Sequence, residues 1–367
     1  MSKVASGRGS GKAGSGRAEK LTEAPHARRL ARLAAAMREL PAAPAALLVT
    51  NPKDVGYLTG FLGGDSYLLV PSGCGTSAAA VSTLISDFRY KEELEPVESS
   101  GLARLFTRSR SMLDAVAEVL SGFLASPAAG GGGDARVAIQ AEHMTVAERA
   151  AIGRKLGQGG ARRLVDTAGL VSRLRVVKDE FEIGLIRKAA KIQEAALLAV
   201  LPTVKAGQTE MEVAARLEAE MKSRGSSEPG FQTIVAAGPN GSLPHYRAGA
   251  KKLAAGKPVL IDWGAVYQGY HSDMTRTFTL GKWPAKIREI YQVVFDAQAA
   301  AAAALAPGKT TVEIDGIARK HITKAGYGEF FGHGLGHGIG LNGHEEPRLT
   351  NMLSATKLEP GMVVTIE

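Results

Sequence analysis

Apolar positions in the first part of the chain fall into helical stretches that alternate with short strands. From His26 to Leu40, residues Leu30, Leu33, Met37 and Leu40 lie near helical spacing, and Pro41 and Pro44 stop the pattern, which predicts one amphipathic helix. The run Ala46-Leu47-Leu48-Val49-Thr50 then reads as a buried strand, as do Tyr67–Pro71, Ser82–Ser86 and, after the glycine run 130–133, Val137–Gln140. Strands alternating with helices make residues 25–168 a small α/β domain. From about Val171 the texture changes: Asp179–Val200 is a long helical pattern rich in Ala, Glu, Lys and Ile, expected to link this domain to a second one over residues 169–367.

The second half carries an internal echo. Gly207-x-Thr209-x-x-Glu212 is matched 101 residues later by Gly308-x-Thr310-x-x-Glu313, each followed by an apolar residue (Val213, Ile314) and later by a glycine (Gly225, Gly326). Thr followed three residues later by Glu is a helix start, in which each side chain satisfies a backbone N–H of the other. Two such starts, with matching helices and polar clusters downstream, predict a duplicated half-domain.

Composition narrows the class. The 367 residues suit two domains, and no apolar run approaches the ~18 residues of a membrane helix. The N-terminus is Gly, Ser, Lys and Arg without the apolar core of a secretory signal, and the single cysteine, Cys74, leaves no intrachain disulfide, so a cytoplasmic protein is expected. The net charge of +9 does not imply nucleic-acid binding. Residues 1–40 hold nine basic against three acidic residues, a net of +6, which leaves +3 for the other 327. Residues 1–24 read as a disordered, removable basic tail.

Six of the eight histidines lie between 245 and 344. His321 sits in a helical stretch and reads as an exposed helix residue. Around the others, three segments carry the chemistry. In the first, an apolar strand ends in Asp262, a glycine-bearing turn follows, and a second strand carries Asp273, so the two carboxylates come side by side. Paired buried carboxylates repel by several kcal/mol unless a cation lies between them. Arg276 is one candidate, although a guanidinium three residues after Asp273 covers both groups poorly. The second segment, Gly332-His333-Gly334-Leu335-Gly336-His337-Gly338-Ile339-Gly340, is too rich in glycine for a helix; with His344 it offers three histidines in twelve residues, on permissive backbone suited to a metal-bound substrate. The third, Glu359–Glu367, reads as an apolar strand delivering a carboxylate.

At these residues the chain resembles the pita-bread metallopeptidases, specifically prolidase and aminopeptidase P. The likeness rests on Asp262-x10-Asp273, the Gly332–His337 loop, His344-Glu345-x-Pro347, and Pro360-Gly361-Met362 through Glu367. It is also carried by a helix containing Leu174–Glu180 and by Asp87-Phe88-Arg89-Tyr90, which is similar to the creatinase/prolidase N-terminal domain. The resemblance implies an α/β creatinase/prolidase-like domain followed by an α+β pita-bread catalytic domain with an internal pseudo-twofold. It implies two divalent ions, Mn2+ foremost with Co2+ or Zn2+ as substitutes, held by Asp262, Asp273, His337 and Glu367. Glu367 would double as proton acceptor, His245 and His344 would hold the scissile amide, His333 would line the substrate pocket, and His271 has no assigned role. The implied activity is hydrolysis of the Xaa-Pro bond at the N-terminus of short proline-containing peptides, by a homodimer. A methionine aminopeptidase-like enzyme and a non-catalytic peptide-binding homologue are the alternatives. The family pattern has one further Glu ligand beyond the position of Glu367, where this sequence stops. The sequence is therefore expected to be a fragment of a longer peptidase, inactive as it stands.

Overall fold

The computed structural model describes residues 25–75, 80–130 and 134–367; the basic tail and most of the 130–133 glycine run lie outside them. The first half runs α1 (His26–Arg38), β1 (Ala46–Val49), α2 (Pro52–Thr59), β2 (Tyr67–Pro71), β3 (Ser82–Ser86), α3 (Lys91–Ser99), β4 (Ala103–Thr107), α4 (Met112–Leu124), β5 (Val137–Gln140), α5 (Val146–Lys155) and β6 (Leu164–Thr167). The strands form one mixed sheet in the order β4-β3-β2-β1-β5-β6. β1 is apolar throughout because both its faces are covered. Leu47 and Val49 pack with Leu30, Leu33 and Met37 of α1, while Ala46 and Leu48 pack with Val116 and Leu120 of α4.

The second half opens with α6 (Leu170–Val176) and α7 (Glu180–Val200). Leu174–Glu180 is thus not one helix, contrary to the sequence reading. Val177 is extended and bridges Met362, Lys178 N–H donates to the Gly361 carbonyl at 2.9 Å, and Asp179 caps α7 through a reciprocal bond with Glu182. A tertiary contact therefore interrupts a stretch whose composition suits a continuous helix. Then come α8 (Glu210–Ser223), β7 (Ile234–Ala237), β8 (Pro258–Trp263), β9 (Val266–Tyr267), β10 (Tyr270–His271), β11 (Met274–Thr279), α9 (Ala285–Ala304), α10 (Thr311–Lys324), β12 (Gly336–Gly338) and β13 (Glu345–Leu349).

The duplication is visible in the backbone. Thr209 and Thr310 each close a capping box, with Glu212 and Glu313, at the start of 14-residue helices α8 and α10. Gly207 N–H donates to Leu253 O at 2.9 Å and Leu253 N–H to Gln208 O at 2.8 Å; Gly308 and Leu358, then Leu358 and Lys309, repeat the pair at 2.8 and 2.7 Å. Isolated bridges Thr209–Lys252 and Thr310–Lys357 complete the correspondence. No described helix is long and apolar enough to cross a membrane.

Candidate metal centre

β8 and β11 pair antiparallel with Asp262 opposite Thr275. Asp273 lies one residue before β11, two positions from Thr275, so the period of two puts both carboxylates on one face. The intervening residues do not form a plain turn: β9 and β10 make their own two-stranded ladder. Arg276 points elsewhere, exposed and donating to the Thr275 carbonyl, and does not neutralise the pair.

The Gly332–Gly340 segment differs from the loop expected. Its centre is strand β12, paired with β13, and none of its glycines has a positive φ. The glycines serve close approach instead. A Cβ at Gly336 would lie 2.1 Å from the Thr365 carbonyl oxygen, and one at Gly338 would lie 2.2 Å from that of Glu346. The terminal segment likewise is not a regular ladder strand. It is extended and tied to β12 through Ile339 N–H to Val363 O, Thr365 N–H to His337 O and Glu367 N–H to Leu335 O, at 3.2, 2.8 and 2.8 Å. The register shift between His337 and Gly338, where β12 meets β13, accompanies this irregular pairing.

These elements bring His337, Asp273 and Glu367 together, with one donor atom from each within 4.8 Å of the others. His337 Nε2 lies 2.9 Å from Glu367 Oε1 and 3.6 Å from Asp273 Oδ2. His337 Nδ1 is 3.0 Å from the Gly338 carbonyl, which can only accept, so Nδ1 carries a proton. In the neutral ring the lone pair of Nε2 then faces two carboxylates. Asp262 stands just outside this trio, with its buried Oδ1 lacking a hydrogen-bond partner, and Nε2 lacks one of acceptable geometry. Among the described residues no lysine or arginine pairs with any of the three carboxylates.

The electrostatics record the same imbalance. Burial pushes Asp262 up to about 6, partly offset by the Thr275 hydroxyl and reinforced by Glu367. Burial, then the charges of Asp262 and Glu367, push Asp273 up to about 7. Burial opposes a charged His337, yet Glu367, the Gly338 carbonyl and Asp273 together hold it above its usual value. Burial would raise Glu367, and His337 with the Thr365 hydroxyl outweighs it. Carboxylates crowded around an imidazole lone pair, without a protein cation, fit a divalent metal ion.

His344, just before β13, stacks its ring on that of His337 with centroids 3.8 Å apart. Partial burial and the neighbouring His337 lower its pKa. His245 is exposed beyond β7, near enough to His344 to depress that pKa further. His333 stands apart from the trio, exposed, its ring edge-on to Phe331 and its carbonyl held by Arg319. His321 is exposed on α10 as expected, and His271, which has no assigned role, is buried in β10.

The pattern of metallopeptidase family M24 matches residues 184–367, half of the chain, and that of the creatinase/prolidase N-terminal domain matches residues 29–177. The chain belongs to metallopeptidase family M24. A Bacillus subtilis relative, the uncharacterized peptidase YqhT, is 37% identical over 88% of this chain and 85% of its own length. The Xaa-Pro dipeptidase of Pyrococcus horikoshii is 45% identical over 53% of this chain and 55% of its own. Among solved structures, the Xaa-Pro dipeptidase from Bacillus anthracis superposes with a TM-score of 0.82 at 33% identity, over 92% of this chain and 88% of that one. The M24 fold, its N-terminal partner domain and a metallopeptidase chemistry are thereby those of this protein.

Proposed function

We propose that the protein hydrolyses the Xaa-Pro bond at the N-terminus of short peptides. The observation that carries this reading is His337 Nε2 set against the carboxylates of Glu367 and Asp273, with no lysine or arginine among the described residues to balance them. The relatives and structural neighbours named Xaa-Pro dipeptidase support the substrate class. Asp262, Asp273, His337 and Glu367 would hold two divalent ions, and their carboxylate-rich donor set favours Mn2+. Bound there, such ions supply Lewis acidity to the scissile carbonyl and lower the pKa of a water towards neutrality.

The chain's own residues do the rest. Glu367 is steered by the Thr365 hydroxyl at 2.8 Å. It would take a proton from the attacking water and return it to the leaving imino nitrogen. His344 would donate a ring N–H to the scissile carbonyl as charge builds on its oxygen, with His245 completing the grip. His333 lines the approach. An Xaa-Pro bond has no amide N–H, so a site that grips the carbonyl and free N-terminus suits it better than strand-like recognition.

The test is to purify the full-length protein, measure bound metal, and assay an Xaa-Pro dipeptide with Mn2+ and after chelation. Asp273→Ala should lose metal and turnover while its circular dichroism stays close to that of the parent. Full turnover by a chelated, metal-free sample would sink the reading.

A further inference from the structure

A buried chain of side chains runs from the N-terminal sheet to the turn that carries His344. Gln140, at the end of β5, takes the Thr50 and Asn51 N–H groups on its Oε1, at 2.8 and 3.0 Å, and donates Nε2 to Asp54 Oδ2 at 2.6 Å. Asp54, on α2, accepts Arg175 Nη1 at 2.7 Å on its other oxygen. Arg175, at the end of α6, passes its Nη2 to Glu345 Oε1, and Lys178 Nζ reaches Glu345 Oε2 at 3.2 Å. The four ionic side chains are each at most 8% exposed, and two negative charges meet two positive ones. The sequence reading gave none of the four a role. Arg175, Lys178 and Glu345 lie in segments that carry the family likeness, but nothing local in the sequence pairs them with one another or with Asp54.

What the chain ends on is specific. Glu345 Oε1 also accepts the Asn342 N–H at 2.9 Å, closing the turn between His337 and His344. Its carboxylate packs against the Gly340 backbone so closely that a Cβ there would sit 2.7 Å from Oε2. Gly340 in turn accepts the His271 N–H at 2.8 Å. The turn from 340 to 345 is therefore clamped from its inner side, and the clamp sets where the His344 ring lies on His337.

We infer that Asp54, although in the N-terminal domain, is a positioning residue for the catalytic histidine His344, acting through Arg175 and Glu345. The inference rests on the peptidase reading above. Asp54→Asn keeps the shape of the side chain and removes the charge that orients Arg175, which frees Arg175 to shift and loosens Glu345. A displacement of about 1 Å at a reacting group can cost up to ~100-fold in rate.

The experiment compares the parent, Asp54→Asn, Asp54→Glu, and the double variant Asp54→Asn/Arg175→Met, which removes the two charges of one buried pair together while Lys178 still pairs with Glu345. Metal content, thermal unfolding, kcat and KM are measured for each with an Xaa-Pro dipeptide. Asp54→Asn should keep its metal and a KM within about twofold while kcat falls about 10- to 100-fold. Asp54→Glu should recover part of that kcat, and the folded, metal-loaded double variant should stay impaired in kcat. If the parent itself turns over no Xaa-Pro peptide, the peptidase reading fails. If the parent is active and kcat is unchanged in Asp54→Asn or in the folded double variant, the positioning role fails alone. A loss that tracks metal content or melting temperature overturns it as well, since the network would then only hold the fold.

Discussion

At the scale of single residues, the two histidines beside the trio divide by what they touch. His344 stacks on His337, and the donor atoms that cluster within 4.8 Å come from Asp273, His337 and Glu367, not from His344 or His245. Alanine at either position should leave metal content intact and lower kcat by about 10²–10³, the usual cost of one donor to a developing oxyanion. Metal lost together with activity would make that histidine a ligand. His26 gives a test unrelated to chemistry. Its Nδ1 meets the Tyr57 carbonyl at 3.1 Å, and Arg29, Asp179 and the Phe181 ring surround it. Burial first, then Arg29, lowers its pKa below 6.5, against the Tyr57 carbonyl and Asp179. The unfolded chain therefore takes up this proton more readily than the folded one. The stability that His26 contributes is complete above 6.5 and drains away as pH falls through its lower folded value. Urea unfolding from pH 7.5 downwards should show this slope in the parent, and His26→Asn, which keeps a donor for Tyr57, should flatten it. Equal slopes would mean another group controls the window.

At the scale of elements, the paired helix starts invite a symmetric test. Thr209→Ala and Thr310→Ala each remove one capping hydroxyl from equivalent exposed sites, and each should cost about 1 kcal/mol in denaturant unfolding. A clear inequality would show that the two halves no longer use their caps alike. Gly336→Ala tests the close approach of β12 to the terminal segment. With a Cβ only 2.1 Å from Thr365 O, the two backbones must part, at about 1–3 kcal/mol, and His337 moves with them, so metal affinity should fall too. These elements also show how far the sequence could be read. β2, β3 and β5 were legible to the residue, because each is a run of four or five residues with an apolar centre, too short for a helix. The capping boxes were legible because their side-chain chemistry is local. The break at Val177–Asp179 and the strand within Gly332–Gly340 were not, since both are imposed by residues far away in sequence, Gly361 with Met362 and Glu345–Leu349 with Thr365. Asp262, Asp273 and His337 stood out through spacing and residue type, whereas the Asp54–Arg175–Glu345 chain has no local pattern to announce it.

For the whole molecule, the question is whether the two family domains behave as separate bodies. Leu30, Leu33 and Met37 of α1 share one apolar cluster with Leu170 and Val171 of α6, Ile186 of α7, Tyr270 and Leu341, so core residues from both halves are buried together. Beside that cluster, Arg29 donates to Asp179 at 2.9 Å, lies 3.3 Å from Glu182, bonds the Tyr57 carbonyl and stacks over the Tyr57 ring at 4.2 Å. Glu182 also takes the Tyr270 hydroxyl at 3.1 Å. A domain that opened away here would expose apolar surface and strand buried charges in one motion. Unfolding should therefore be a single transition in which probes of either half coincide. Arg29→Met replaces the guanidinium with an apolar side chain and leaves Glu182, 2% exposed, without its cation. Losing one partner of a buried pair typically costs about 3–5 kcal/mol. Asp179 still caps α7 after the change, so the helix itself should survive and the loss should fall on the contact between the domains. The expected result in urea is an earlier midpoint and separation of the tryptophan signal, from Trp263 and Trp283 in the second half, from the far-ultraviolet signal of both halves. If Arg29→Met unfolds in one unshifted transition, the ion cluster contributes nothing to domain coupling and the apolar cluster alone holds the halves together.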